Sequence, residues 1–119
     1  MSEPPRLRVE PLTTDRWRIT NDGDDAVRLL ETWLPHGRFR GAPLRHPRTI
    51  GPGQSVTLEH PVLASGEPHD VVENAFLILR LEGWRVLARL TLRFDRAGVP
   101  RPEVVVVTSQ RAGFSGVEE

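Results

Sequence analysis

Apolar and polar residues alternate in short runs along most of this chain, and clusters of Gly, Pro, Asn and Asp separate the runs. Leu7 and Val9 alternate with Arg6, Arg8 and Glu10, and Trp17 and Ile19 alternate with Arg16, Arg18 and Thr20. A period of two sends one set of side chains into a core and the other into water, so both segments predict strands, the first ending before Pro11. Asn21 to Asp25 predicts a turn, because Asn, Asp and Gly tolerate positive φ. A third strand is expected from Ala26 to about Leu34. His36 to Arg48, with two Pro and two Gly, reads as a long connection. Pro52-Gly53 suits the middle of a type II turn, and a fourth strand follows from Ser55 to His60. Pro61 to His69 reads as a further loop.

The clearest pattern lies between Glu73 and Phe94. Glu73–Leu81 and Trp84–Phe94 are two strand-like runs joined by Glu82-Gly83, and a two-residue link containing Gly predicts a hairpin. That link fixes the register: Leu81 opposite Trp84, Arg80 opposite Arg85, Leu79 opposite Val86, Ile78 opposite Leu87, Leu77 opposite Ala88 and Phe76 opposite Arg89. Adjacent pairs face opposite ways. One face then carries Leu77, Leu79, Leu81, Trp84, Val86, Ala88, Leu90 and Leu92 as core. The other carries Phe76, Ile78, Leu87, Arg80, Arg85 and Arg89, then Thr91 and Arg93. A seventh strand is expected from Pro102 to Thr108, whose four consecutive valines favour β structure. Seven antiparallel strands without a helix-period segment predict an all-β, two-sheet sandwich. The first, second and fourth strands are expected in one sheet and the third, fifth and sixth in the other, with the valine strand at an edge.

Two segments carry a resemblance. Trp17 to Val27, a strand, an Asn-x-Gly-Asp turn and a strand, resembles an element of bacterial immunoglobulin-like domains. Ile50 to Leu58, with Pro52-Gly53-Gln54-Ser55 leading into a strand, is similar to the element that follows in many of them, including the CARDB type. The resemblance implies an immunoglobulin-like fold and transfers no active site, since both motifs encode turns.

Length and composition fit one domain over 1–119, with frayed ends at about 1–5 and 113–119. Neither disorder nor a membrane protein is indicated by 38% hydrophobic and 27% charged residues. There are no cysteines, which excludes disulfides, thiol catalysis and Cys-ligated zinc. With no signal-like opening, this predicts a cytoplasmic location. All positive charge is arginine, sixteen Arg and no Lys, a usage typical of GC-rich bacterial genomes. It also excludes a Schiff-base amine and a P-loop lysine. Formal net charge is zero, which argues against a nucleic-acid-coating role.

No catalytic set emerges. Ser55, Ser65, Ser109 and Ser115 lack an elbow motif, and the chain is expected to be non-catalytic without a cofactor. The acids of Asn21–Asp25 read as a solvated turn rather than a calcium loop. His36, His46, His60 and His69 show no metal-ligand spacing, so no metal site is expected. Charge is segregated, however. Thr32–Leu58 holds no acid but contains Arg38, Arg40, Arg45 and Arg48, whereas Thr49–Leu79 holds no Arg but contains Glu59, Glu67, Asp70 and Glu73. Either the 36–48 loop binds an anion or nucleic acid, or the two segments neutralise each other, the reading preferred here. The leading candidate site is the outer hairpin face: Phe76, Ile78 and Leu87 bordered by Arg80, Arg85 and Arg89. A face meant only for water has no need of three large apolar residues, so it is expected to be covered by the 36–48 loop, a second copy or another protein. An interaction or assembly module is the expected function, with anion binding by the basic loop as the alternative.

Overall fold

The computed structural model describes residues 3–112 and contains nine strands and no helix among them. In chain order these are β1 (Leu7–Pro11), β2 (Arg16–Asn21), β3 (Val27–His36), β4 (Phe39–Ile50), β5 (Ser55–Glu59), β6 (Leu63–Ala64), β7 (Val71–Leu81), β8 (Trp84–Phe94) and β9 (Pro100–Arg111). They form two antiparallel sheets, β1-β2-β5 and β6-β4-β3-β7-β8-β9. The result is an all-β two-sheet sandwich, as the alternation predicts, and it is compatible with the immunoglobulin-like class. All seven expected strands fall in their expected sheets, with β9 at an edge. Residues 1–2 and 113–119, expected to be frayed, lie outside the described residues. Within the other frayed stretch, the Pro5 carbonyl accepts a hydrogen bond from the Ser109 hydroxyl at 3.0 Å.

One expectation is corrected. Residues 36–48 are not a loop: from Phe39 they belong to β4, which pairs along β3. Proline is tolerated because β4 is nearly an edge, covered only at Phe39 and Arg40 by the two-residue β6. Since β4 extends the sheet sideways, it cannot lie over the outer face of the β7–β8 hairpin.

The core is the space between the sheets. Trp17, Ile19 and Leu58 of the small sheet meet Leu29, Leu34, Phe39, Leu77, Leu79, Val86, Leu90 and Leu92 of the large one, all buried. Turn chemistry holds the strands in place. The Asn21 side chain is fully buried and donates to the carbonyls of Asp25 and Ile50, both at 2.9 Å, while its Oδ1 accepts from Gly23 N–H at 2.9 Å. Gly53 has φ +77°, and Gln54 N–H donates to the Gly51 carbonyl at 3.0 Å, the geometry of a type II turn.

Candidate functional site

Every hairpin pair from Leu81–Trp84 to Phe76–Arg89 stands in the expected register. Beyond Ala75 a bulge at Glu73–Asn74, with Asn74 at φ +64°, ends the regular alternation. Neighbouring strands extend the outer face. Trp33 of β3 stands opposite Ile78, and Thr108 of β9 opposite Leu87, so Trp33, Ile78, Leu87 and Thr108 form one row across four strands. On one side lies a row of Arg45, Glu31, Arg80 and Arg85. On the other, Arg40 is opposite Pro35, and Phe76 is opposite Arg89, which in turn is opposite Val106.

Among the described residues the second sheet lies on the inner side, across the core, so no strand packs on this face. Trp33 and Val106 are each 42% exposed, while Phe76, Ile78 and Leu87 are half-buried among their strand neighbours. Trp33 is a ridge between two hollows. The first, about 240 Å³, is lined by Glu31, Trp33, Ile78, Arg80 and Arg85. The second, an apolar groove of about 540 Å³, runs from Trp33 and Pro35 past Arg40 to Val62 and Leu63. Sequence reasoning missed Trp33, Pro35 and Leu63 as members of this surface. In the structure Thr32 and Leu34 are buried on the inner side, which turns Trp33 outward, and the sequence pattern alone does not mark that phase. The valine strand divides similarly: Val104 and Val107 pack against the core, whereas a bulge at Val105 leaves it and Val106 in water.

The four arginines of the basic segment do not converge. Arg38, in the β3–β4 turn, donates to Asp70 Oδ2 at 2.6 Å and to the Ser65 carbonyl at 3.0 Å, over the Phe94 ring. Asp70 is held below its ordinary pKa by the Glu67 N–H and by Arg38. This is the neutralisation expected between the basic and acidic segments, at one of four positions. Arg40 and Arg45 join the outer face, and Arg48 stands opposite buried Leu29.

A second arrangement is internal. His46 Nε2 lies 2.9 Å from Thr32 Oγ1, which lies 2.6 Å from His60 Nδ1, and His60 Nε2 lies 2.9 Å from the Ala42 carbonyl. A carbonyl only accepts, so His60 Nε2 carries hydrogen, His60 Nδ1 accepts from Thr32, and Thr32 accepts from His46. Burial lowers both imidazole pKa values, and for His46 the nearness of His60 and Arg48, which would repel a second positive charge, adds to it. Thr32 and His60 are each 2% exposed, so this relay ties β4 and the residue after β5 to β3 rather than meeting a substrate. Two of the three acids of the 21–25 turn are engaged by arginines, Asp22 by Arg8 at 3.0 Å and Asp24 by Arg6 at 3.9 Å. Among the described residues no three His, Cys, Asp or Glu side chains are grouped to hold a metal ion, and no helix is long and apolar enough to cross a membrane.

Comparisons with protein-family models, curated proteins and solved structures give no match.

Proposed function

We propose that this protein is a non-catalytic interaction or assembly module that binds another protein, or a second copy of itself, through the outer face of its six-stranded sheet. The observation that carries this reading is the open apolar row of Trp33, Ile78 and Leu87 between two rows containing arginine. Fully burying an aliphatic side chain contributes roughly 1.5–3 kcal/mol; a partner would supply the remaining part of that at half-buried Ile78 and Leu87, and more at Trp33 and Val106, which are each 42% exposed. Arginine beside an apolar centre is a frequent composition of interfaces. The turn segments that resemble CARDB-type immunoglobulin-like domains support the same reading, because they supply a scaffold and no chemistry. Anion binding by Arg38, Arg40, Arg45 and Arg48 loses support from their geometry, as Arg38 is engaged by Asp70.

Ile78→Asp and Leu87→Asp test the proposal. Each puts a charge in the row without touching the inner core. The expected result is a variant that still unfolds cooperatively, at a moderately lowered melting temperature, but loses self-association in sedimentation or loses a partner captured by the wild type. Unchanged association in both variants would refute the role of this face.

A further inference from the structure

Arginines are matched with carboxylates very differently on the two sides of the sandwich. Those of the small sheet each have one: Arg8 with Asp22 at 3.0 Å, Arg16 with Glu59 at 2.6 Å and Arg18 with Glu10 at 3.7 Å. On the outer face of the large sheet, Arg40, Arg45, Arg85 and Arg89 have no carboxylate within 4.0 Å among the described residues. Arg80 and Arg85 stand directly opposite each other, a like-charge pair that is unfavourable across strands. The carboxylate in their row, Glu31, is 3.6 Å from Arg80. The face therefore has an excess of positive charge on both sides of its apolar row.

Its dimensions narrow the partner further. Side chains two residues apart on a strand are about 6.5 Å apart, so the two arginine-bearing rows are separated by about 13 Å. Across the five strands from β4 to β9 a row runs about 19 Å. An α-helix is about 10–12 Å wide with its side chains and rises 1.5 Å per residue, so about 13 residues would fill that length with both flanks over arginine. An extended strand lays one line of side chains on a surface and does not serve both rows. Single-stranded nucleic acid binds over aromatic platforms, whereas this row has one exposed aromatic, Trp33, and continues with aliphatic Ile78 and Leu87. A second copy presenting the same face would set arginine rows against arginine rows.

We propose that the outer face of the six-stranded sheet binds an amphipathic helix of another protein, with glutamate or aspartate along both flanks of its apolar stripe. This rests on the interaction role proposed above and commits it to one partner chemistry.

The test is fluorescence anisotropy of the full chain with a designed peptide of about fifteen residues, having leucines on one helical face and glutamates on both flanks. The expected result is saturable binding, weakened at least about ten-fold when lysine replaces the glutamates or serine the leucines. Arg85→Glu combined with Arg89→Glu should lose the glutamate peptide by a similar factor and gain the lysine peptide, at unchanged melting temperature. No binding of the glutamate peptide, equal binding of the lysine peptide, or equal binding of the same composition rearranged into strict leucine–glutamate alternation would overturn the proposal. So would tighter binding of a single-stranded thymidine oligonucleotide. If any of these occurs while Ile78→Asp still abolishes association, the face is an interface but its partner is not an acidic helix.

Discussion

Replacing Thr32 by Val removes one hydroxyl from the middle of the buried relay and leaves the shape of the side chain nearly unchanged. Both residues are β-branched and suit a strand, so β3 itself has little reason to respond. The Thr32 hydroxyl donates to His60 Nδ1 at 2.6 Å and accepts from His46 Nε2 at 2.9 Å. His60 is 2% exposed, and the lost donor is not replaced by water unless the sheets part. A buried polar atom left without its partner costs about 1–3 kcal/mol, and that range is expected for Thr32→Val. Thr32→Ser keeps the hydroxyl and deletes a methyl, so it should cost about 1 kcal/mol from lost apolar contact alone. Urea unfolding at pH 7.5, followed by tryptophan fluorescence, gives both values, because Trp17 is buried in the core. A Thr32→Val protein as stable as wild type, or one less destabilised than Thr32→Ser, would refute the relay as a stabilising element.

Three further outcomes follow from the same packing. Folding lowers the pKa values of His46 and His60 below the ordinary 6.5, so the unfolded chain takes up protons first. Stability is then full above about pH 6.5 and declines as the pH falls below it, by at most about 1.4 kcal/mol per unit and group; urea midpoints at pH 7.5 and 5.5 check the sign. His60→Gln should flatten that decline, and an equal slope in the variant would count against His60. Gly41→Ala should destabilise by about 1–3 kcal/mol in a thermal melt, since its Cβ would meet the His60 ring at 2.6 Å and the Pro61 carbonyl at 2.7 Å, while Gly37→Ala, with no atom within 4 Å, serves as the neutral control.

Local rules were enough for the hairpin and for the division into sheets. A two-residue link with Gly83 at φ +80° leaves one register open to β7 and β8, and alternation then assigns every inward side chain up to the Glu73–Asn74 bulge. β4 was not legible for the opposite reason. Gly37, Gly41, Pro43 and Pro47 carry the chemistry of turns, and register shifts after Leu29 and Thr32 break the alternation on which a strand assignment depends. Once β4 was missed, so was everything it brings together. His46 and His60 are 14 and 28 residues from Thr32; the pairing of β4 with β3 brings His46 beside it, and His60, just past β5 of the small sheet, reaches it from the other side of the sandwich. Trp33 was hidden differently, because Leu29, Leu30, Trp33 and Leu34 read together as one buried run until the bulge sets their phase.

The same topology changes what a net charge of zero means. Summed over the chain, sixteen arginines balance sixteen acids, which predicts no long-range preference for a charged partner. Charge acts locally, however, within a screening length of about 8 Å in physiological salt, so each face responds to its own balance rather than to the total. Strand pairing sorts the charges unequally between faces. On the small sheet the turn acids and Glu59 reach arginines across short registers, and every β1 or β2 arginine is matched. On the large sheet, β4 brings Arg40 and Arg45 onto a face where Arg80, Arg85 and Arg89 already stand, and Glu31 is the carboxylate within their rows. A basic segment and an arginine-bordered hairpin, separate along the chain, thus become one surface. It follows that lowering salt should strengthen binding at this face while leaving the fold's own stability nearly unchanged, because exposed ion pairs contribute little to folding. Equal salt sensitivity of binding and unfolding would break that separation.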